Sequence, residues 1–415
     1  MCQLARHKAS ATRDWIPCYG DRVRRQGAKN PKEYLHSVFG SGADARAVAA
    51  PGRVNLIGEH IDYHNLPVLP VALDRRVALA FRRREDGLIR AASEPYGVRE
   101  FRWTLPLERV AAGDWENYIR AAAQTVGAQW GAGRGIDAAI VSDVPPAAGL
   151  SSSSALLVAF TLALLLANDI HVSFEELMEV LPDGEQFVGT RGGGMDHAAA
   201  LASRAGHASL IGFTPLSVRH IPVPEDWAFL AAHSLHTAEK SGSARDAYNL
   251  RRAGGTAART RLGLTSYSEA LPRAEELAAR LEEGAERDAF LHTVTEARRV
   301  TASVEAMQHG DAAAFGKLLL GSHVSLRDRL HVSCAALDEL VDAAMACGAL
   351  GARLTGAGFG GFAVLLCRKS QRAEVRHRLV ERFYAGCAGF DEHTHLIDVE
   401  PADGALIHSD PANAG

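Results

Sequence analysis

Pro145-Pro146-Ala147-Ala148-Gly149-Leu150-Ser151-Ser152-Ser153-Ser154-Ala155 is a turn rich in small residues that opens directly into the apolar run Leu156 to Ala167. The longest apolar run, Ala155 to Ala167, is too short to span a bilayer, so it predicts a helix packed inside a soluble fold. The start of such a helix leaves amide N–H groups without partners and carries the positive end of the dipole, which together make an anion seat. Small residues let a phosphate approach the backbone, and the hydroxyls of Ser151 to Ser154 add donors and a cation ligand. The segment therefore reads either as a nucleotide-phosphate loop or as a Ser-capped core helix with no ligand. No G-x-x-x-x-G-K-[ST] occurs, which excludes a Walker A loop.

At 415 residues the chain is too long for one ordinary core, and two lobes are expected. Hydrophobic content of 47% and charged content of 23% are those of a soluble globular protein. The net charge of −4, with basic residues scattered among acids, offers nothing to nucleic acid or an anionic membrane. Cys2, Cys18, Cys334, Cys347, Cys367 and Cys387 form no C-x-x-C pair and no zinc spacing, so they are expected to be reduced thiols of a cytoplasmic protein. Met1 to Lys29 mixes basic and polar residues without an apolar stretch, so no secretory signal is expected.

Residues 1 to 30 are read as a poorly specified leader, 31 to 215 as an α/β lobe and 216 to 405 as an α+β lobe. In the first lobe, helices are predicted at Pro31 to Phe39 and Trp115 to Trp130. Strands are predicted at Pro51 to Gly58, Val68 to Phe81, Phe101 to Leu105 and Ala138 to Val141. In the second, a strand at Ala228 to Ala232 precedes a long helical tract, Ala244 to His309, with further helices at Phe315 to Val324 and Cys334 to Cys347. Strands at Arg353 to Thr355 and Phe362 to Cys367 flank a glycine turn, and a last strand is predicted at His395 to Val399.

Three segments carry chemistry. Gly52-Arg53-Val54-Asn55-Leu56-Ile57-Gly58-Glu59-His60-Ile61-Asp62-Tyr63 gathers a guanidinium, two carboxylates, an imidazole and a phenol at a strand end. That density suits a polyhydroxylated ligand, although a solvated turn would look similar. Gly189-Thr190-Arg191-Gly192-Gly193-Gly194-Met195-Asp196-His197 places glycines before one carboxylate, which is the pattern of a general base beside a close-packed ligand or of a glycine hinge with a capping Asp. Thr355-Gly356-Ala357-Gly358-Phe359-Gly360-Gly361-Phe362 formally matches G-x-G-x-x-G, but the run Phe362 to Leu366 reads as a strand rather than the helix a dinucleotide site requires.

In this order and at these separations the segments resemble the GHMP kinase superfamily, and Gly52 to Tyr63 together with Val68-Leu69-Pro70 is similar to the galactokinase family signature. His236 to Arg252 and Ser322 to Asp328 resemble two further segments of that family, so the likeness runs from about residue 31 to 400. It implies a two-lobed fold, with a mixed sheet in the N-terminal lobe, a layered α+β C-terminal lobe and the active site in the cleft between. It also implies ATP and Mg2+ as the chemistry's partners, and phosphoryl transfer to the C1 hydroxyl of galactose. By the same resemblance Asp196 is the base and Arg53 its partner, while Glu59, His60, Asp62, Gly193 and Tyr248 contact the sugar. Gly149, Leu150, Ser151, Ser152 and Ser153 would hold the ATP phosphates, and Ser153 with Glu185 the metal.

Some positions depart from the family pattern. The triple glycine Gly192-Gly193-Gly194 and Ile61 look like the N-acetylgalactosamine kinase branch, as does an acid at Glu185 where galactokinases have it at the position of Gly184. Missing side chains at Gly192 and Gly194 are expected to widen the pocket beside the sugar C2. His197 replaces the usual Gln without an evident reason. The alternatives to a galactose kinase are thus an N-acetylgalactosamine or dual-specificity kinase and, from another class, a silent sugar and ATP sensor.

Overall fold

The computed structural model describes residues 30–41, 45–131, 133–146, 149–189, 192–237 and 243–408. Residues 1–29 of the expected leader, with Cys2 and Cys18, and Thr190, Arg191 and the Ala147-Ala148 pair of the loop lie outside them.

Helix α1, Pro31–Phe39, is set by the Asn30 side chain accepting from Lys32 N–H and by proline at the first turn. The next elements form a mixed sheet, built from β1 (Arg46–Ile57), β2 (Leu69–Arg84), β3 (Leu88–Ser93), β4 (Gly97–Arg102) and β5 (Gly135–Ser142), with α2 (Glu116–Trp130) between β4 and β5. Helices α3 (Ser152–Ala167) and α5 (Met195–Ala202) pack on it, α4 (Phe174–Val188) packs on α2, α3 and α5, and a hairpin of β6 (His207–Phe213) and β7 (Leu216–Pro222) closes this part. Strand β8 (Trp227–His233) opens the second sheet. Then come α6 (Ser243–Arg261), α7 (Ala274–Ala278), α8 (Ala285–Gln308), α9 (Ala312–Asp328), α10 (Ala335–Ala346), β9 (Gly351–Leu354), β10 (Phe362–Arg368), β11 (Leu396–Val399) and β12 (Leu406–His408).

The first sheet has the order β12-β1-β2-β5-β3-β4, antiparallel except for the parallel pair β3 and β5. The second, β11-β8-β10-β9, is antiparallel throughout. Alternation along its strands separates two buried faces: Phe229, Ala231, Phe362, Val364 and Leu366 join the main core, whereas Leu230, Ala232, Ala363 and Leu365 pack with α10. The main core also contains α3, which is apolar nearly all round and enclosed accordingly. The β6–β7 hairpin spans residue 215, and β12 returns to pair with β1, so residues 406–408 lie against the first sheet.

The long helical tract from Ala244 to His309 is broken into several helices. Gly263 takes φ +69°, Ser266 and Glu269 form a capping box that starts a short 3-10 helix over Tyr267–Arg273, and Gly284 precedes α8. Cys334, Cys347, Cys367 and Cys387 are free thiols. Among the described residues, no helix is long and apolar enough to cross a membrane.

Candidate active site

The three chemistry-bearing segments meet at one point. The pairing of β1 with β2 slips between Pro51 and Arg53, and the resulting irregularity turns Gly52 and Arg53 toward the serine loop. Arg53 N–H donates to Leu150 O at 3.1 Å, and a Cβ on Gly52 would stand 2.7 Å from that carbonyl. From the other side, a Cβ on Gly356 would lie 3.0 Å from Gly149 O. The glycine turn after β9 therefore backs the serine loop, with no dinucleotide helix after it.

Asp196 stands in the first turn of α5, where the dipole favours a carboxylate. Its Oδ1 accepts from Arg53 Nε at 2.7 Å and its Oδ2 from the Ser151 hydroxyl, while Arg53 Nη1 donates to Gly149 O at 2.5 Å. Burial would raise the Asp196 pKa, but the Arg53 charge and the Ser151 hydroxyl hold it below its ordinary value. The group stays an anion at neutral pH. About a quarter of its side chain, 24%, remains accessible, whereas Arg53 retains 6%. An ionised, partly open carboxylate anchored from behind can accept a proton from a bound alcohol.

Beside it lies a wall of polar groups. Asp62 Oδ2 accepts from Gly193 N–H at 3.1 Å, joining the strand-end turn to the glycine run before α5. His60 Nε2 lies 3.1 Å from Ala357 O and its Nδ1 2.9 Å from the Tyr63 hydroxyl. A carbonyl only accepts, so Nε2 carries the proton and Nδ1 accepts from Tyr63. Burial pushes the His60 pKa down to about 3, which keeps the ring neutral. Tyr248, on α6, packs its ring 5.2 Å from His60 and 5.7 Å from Tyr63.

Burial pushes the Asp62 carboxyl up from 3.8 to about 7, with Asp196 adding repulsion. In the free protein the carboxylate state is thus half populated near neutrality. If the anion is the form that accepts ligand hydroxyls, affinity for a polyhydroxylated ligand strengthens as pH rises through 7 and falls by up to about tenfold per unit below it. Calorimetric titration from pH 5.5 to 8.5 measures this, and Asp62→Asn is expected to flatten the profile. The sign for folding is opposite: the native state holds a proton that the unfolded chain releases, so this group makes the fold less stable as pH rises from about 4 to 7.

Glu59 sits behind that wall. Its Oε2 accepts from Asn55 Nδ2 at 2.5 Å, its Oε1 from Gly356 N–H at 2.5 Å and Thr355 Oγ1 at 3.2 Å, and Arg353 Nη2 lies 3.4 Å away. With 2% exposure, its carboxylate joins the strand-end turn to the glycine turn.

In the serine loop, Ser151 takes φ +58° and α3 begins at Ser152. The N–H groups of its first turn point out of the helix start. Leu150 buries its side chain in the core, so only its backbone can serve a ligand. Ser152 and Ser153 are half-buried. It is Ser154, three residues from Ser151 and on the same helix face, that reaches Glu185, at 2.6 Å, and lies 3.4 Å from Asp196.

The glycines do not act as the sequence suggests. A Cβ on Gly194, which has φ +98°, would meet Met178 and Phe213 inside the first lobe, and one on Gly192 would stand 2.8 Å from Glu185 Oε2. These missing side chains clear room for the protein's own groups rather than widening the sugar pocket.

Several supporting residues carry no sequence signal. Buried Glu296 on α8 accepts from Gly58 N–H at 3.0 Å and from Ser322 Oγ at 2.6 Å, and His292 lies 3.0 Å from Glu59 O. Arg353, fully buried on β9, donates to the Asn55 and Leu56 carbonyls at 3.1 and 2.8 Å.

Residues 35–83 match the galactokinase galactose-binding signature, 117–204 the GHMP kinases N terminal domain and 303–385 the GHMP kinases C terminal model. A galactokinase of Chloroflexus aurantiacus is 39% identical over 339 residues, 77% of this chain and 83% of that protein. One of Streptomyces coelicolor is 37% identical over 375 residues, 88% and 95% of the two chains. The crystal structure of Lactococcus lactis galactokinase complexed with galactose superposes with a TM-score of 0.83 at 26% identity, covering 90% of this chain and 98% of that one. With its signature segment built into the strand-end turn that abuts the serine loop and Asp196, this chain belongs to the galactokinase family of the GHMP kinases.

Proposed function

We infer that Asp196 is the general base of an ATP-dependent galactose kinase that phosphorylates the C1 hydroxyl, with Arg53 as its partner. The observation that carries this reading is the Arg53–Asp196 ion pair at 2.7 Å, set directly against the serine loop through Arg53 and Gly149. Asp62, Gly193, His60 and Tyr248 would bind the sugar, with Glu59 supporting them from behind. Backbone N–H groups from Gly149 to Ser153 would hold the triphosphate. In the transfer, the O1 proton passes to the Asp196 carboxylate, O1 forms the new bond to the γ-phosphorus, and the bond to the β-bridging oxygen breaks with its electron pair leaving on ADP. Alignment and charge neutralisation are the main requirements, and these side chains supply both.

The residues also fit a divalent cation. Glu185 and the hydroxyls of Ser152 and Ser153 are hard oxygen donors of the kind Mg2+ takes, and the absence of a side chain at Gly192 leaves Glu185 Oε2 unblocked on that side. When bound, such an ion supplies neutralisation of the β- and γ-phosphate charge.

A sugar panel assayed with ATP and magnesium tests the reading, with phosphorus NMR locating the phosphate. Galactose phosphorylated at C1 is expected, and turnover only of a non-sugar alcohol would overturn it. Neither an N-acetylgalactosamine kinase nor a silent sensor is favoured by the relatives. Within this reading Arg53→Ala is expected to lower kcat by roughly ten- to a hundredfold, through loss of one charge-assisted contact, and to change galactose affinity little. Equal losses in kcat and affinity would make Arg53 a binding group only.

A further inference from the structure

We propose that Ser154, Gly192 and His197 form a cradle that orients Glu185, holding one carboxylate oxygen and turning the other toward the cation that accompanies the triphosphate. The proposal rests on the reading of Glu185 as a cation-facing group.

Glu185 lies near the end of α4, between the starts of α3 and α5. Its Oε1 accepts from Ser154 Oγ at 2.6 Å and lies 3.6 Å from His197 Nε2. Its Oε2 lies over Gly192, where a Cβ would stand only 2.8 Å away. The helix that starts the phosphate site and the helix that carries the base thus each send one side chain to the same oxygen. The glycine run clears the space beside the other.

His197 is 0% exposed, and neither ring nitrogen has a hydrogen-bond partner among the described residues. A buried polar ring left without partners is costly unless its surroundings use it. Among the described residues the carboxylate paired with it is Glu185, and a shift of less than an ångström would bring the two into hydrogen-bond range.

The cradle also accounts for the displaced acid. A Cβ on Gly184 would meet Leu157 and Thr125, between α3 and α2, so position 184 faces the helix packing. One residue further along a helix is a rotation of about 100°, which carries position 185 toward α5 and the glycine run. Gly192 leaves space for the acid arriving from there, and Ser154 and His197 capture its nearer oxygen.

The test is Mn2+ binding, read by electron paramagnetic resonance, to the full chain with galactose and a non-hydrolysable ATP analogue. Ser154→Ala/His197→Ala is expected to weaken Mn2+ binding by about tenfold or more, the usual scale for groups that orient a ligand. His197→Gln is expected to restore most of that loss relative to His197→Ala, because its amide can donate to the same oxygen. Galactose affinity without nucleotide is expected to stay within about twofold, since no cradle residue belongs to the sugar wall. Should His197→Ala fail to fold, Ser154→Ala and His197→Gln carry the test. Glu185→Gln separates the two layers. If it weakens Mn2+ binding while the cradle variants bind Mn2+ like the parent chain, the cradle is wrong. If Glu185→Gln itself leaves Mn2+ binding unchanged, the cation-facing reading of Glu185 falls, and the proposal with it.

Discussion

Asp196→Asn is expected to lower kcat by roughly 10^2- to 10^4-fold while galactose affinity changes no more than about threefold. The amide keeps the shape of the side chain and can still accept from Arg53 Nε, where the carboxylate oxygen now accepts at 2.7 Å, but it cannot take a proton from an alcohol. A group that acts only as the proton moves contributes to the transition state and not to ground-state binding, so the loss belongs in kcat. Steady-state kinetics with calorimetric galactose titration measures both. A variant retaining more than about a tenth of the parent turnover would remove Asp196 from the base role, because a positioned base contributes at least about a hundredfold.

Gly193→Ala is expected to raise the galactose dissociation constant by about a hundredfold, corresponding to about 3 kcal/mol of disrupted packing. The reason is close approach. A Cβ there would lie 2.3 Å from both Asp62 C and Tyr63 N and 2.6 Å from Asp62 Cγ. Backbone atoms cannot rotate aside, so the strand-end turn must part from the glycine run. The Gly193 N–H bond to Asp62 Oδ2 is lost with the displacement. Gly206→Ala serves as a control for glycine replacement at φ +72°, because a Cβ there meets nothing within 4 Å. A melting curve for each variant separates lost binding from lost fold. If Gly193→Ala binds galactose within about threefold of the parent chain, the two segments do not jointly build the sugar site.

Much of the fold is legible where local signals and tertiary context agree. Helix α1 carries a cap and a proline at its start, and α3 is apolar throughout, so both lie where the sequence predicts them. Helix α4 escapes a reading by pattern because Pro182 and Gly184 interrupt it, although a Ser173–Glu176 capping box marks its start. Strand β12 has three residues and pairs with β1 across most of the chain, which no local pattern reveals. The site shows the same division. Arg53 and Asp196 are 143 residues apart, and resemblance alone joins them in the sequence. Ser154 is legible in principle, since three-residue spacing puts it on the face of Ser151. Glu296 is not, because it sits among Ala, Arg and Glu in a tract whose composition reads as solvated helix. Glycines prove hardest: sequence shows that a side chain is missing, whereas only coordinates show what fills the space.

A crystal structure of this protein with galactose and a non-hydrolysable ATP analogue most directly tests the placement of the reacting groups. The expected result has the sugar O1 within about 2.6–3.2 Å of an Asp196 carboxylate oxygen and in line with the γ-phosphorus, the triphosphate resting on the N–H groups that start α3. A complex in which O1 points away from Asp196, or in which the triphosphate lies elsewhere than the serine loop, would contradict it.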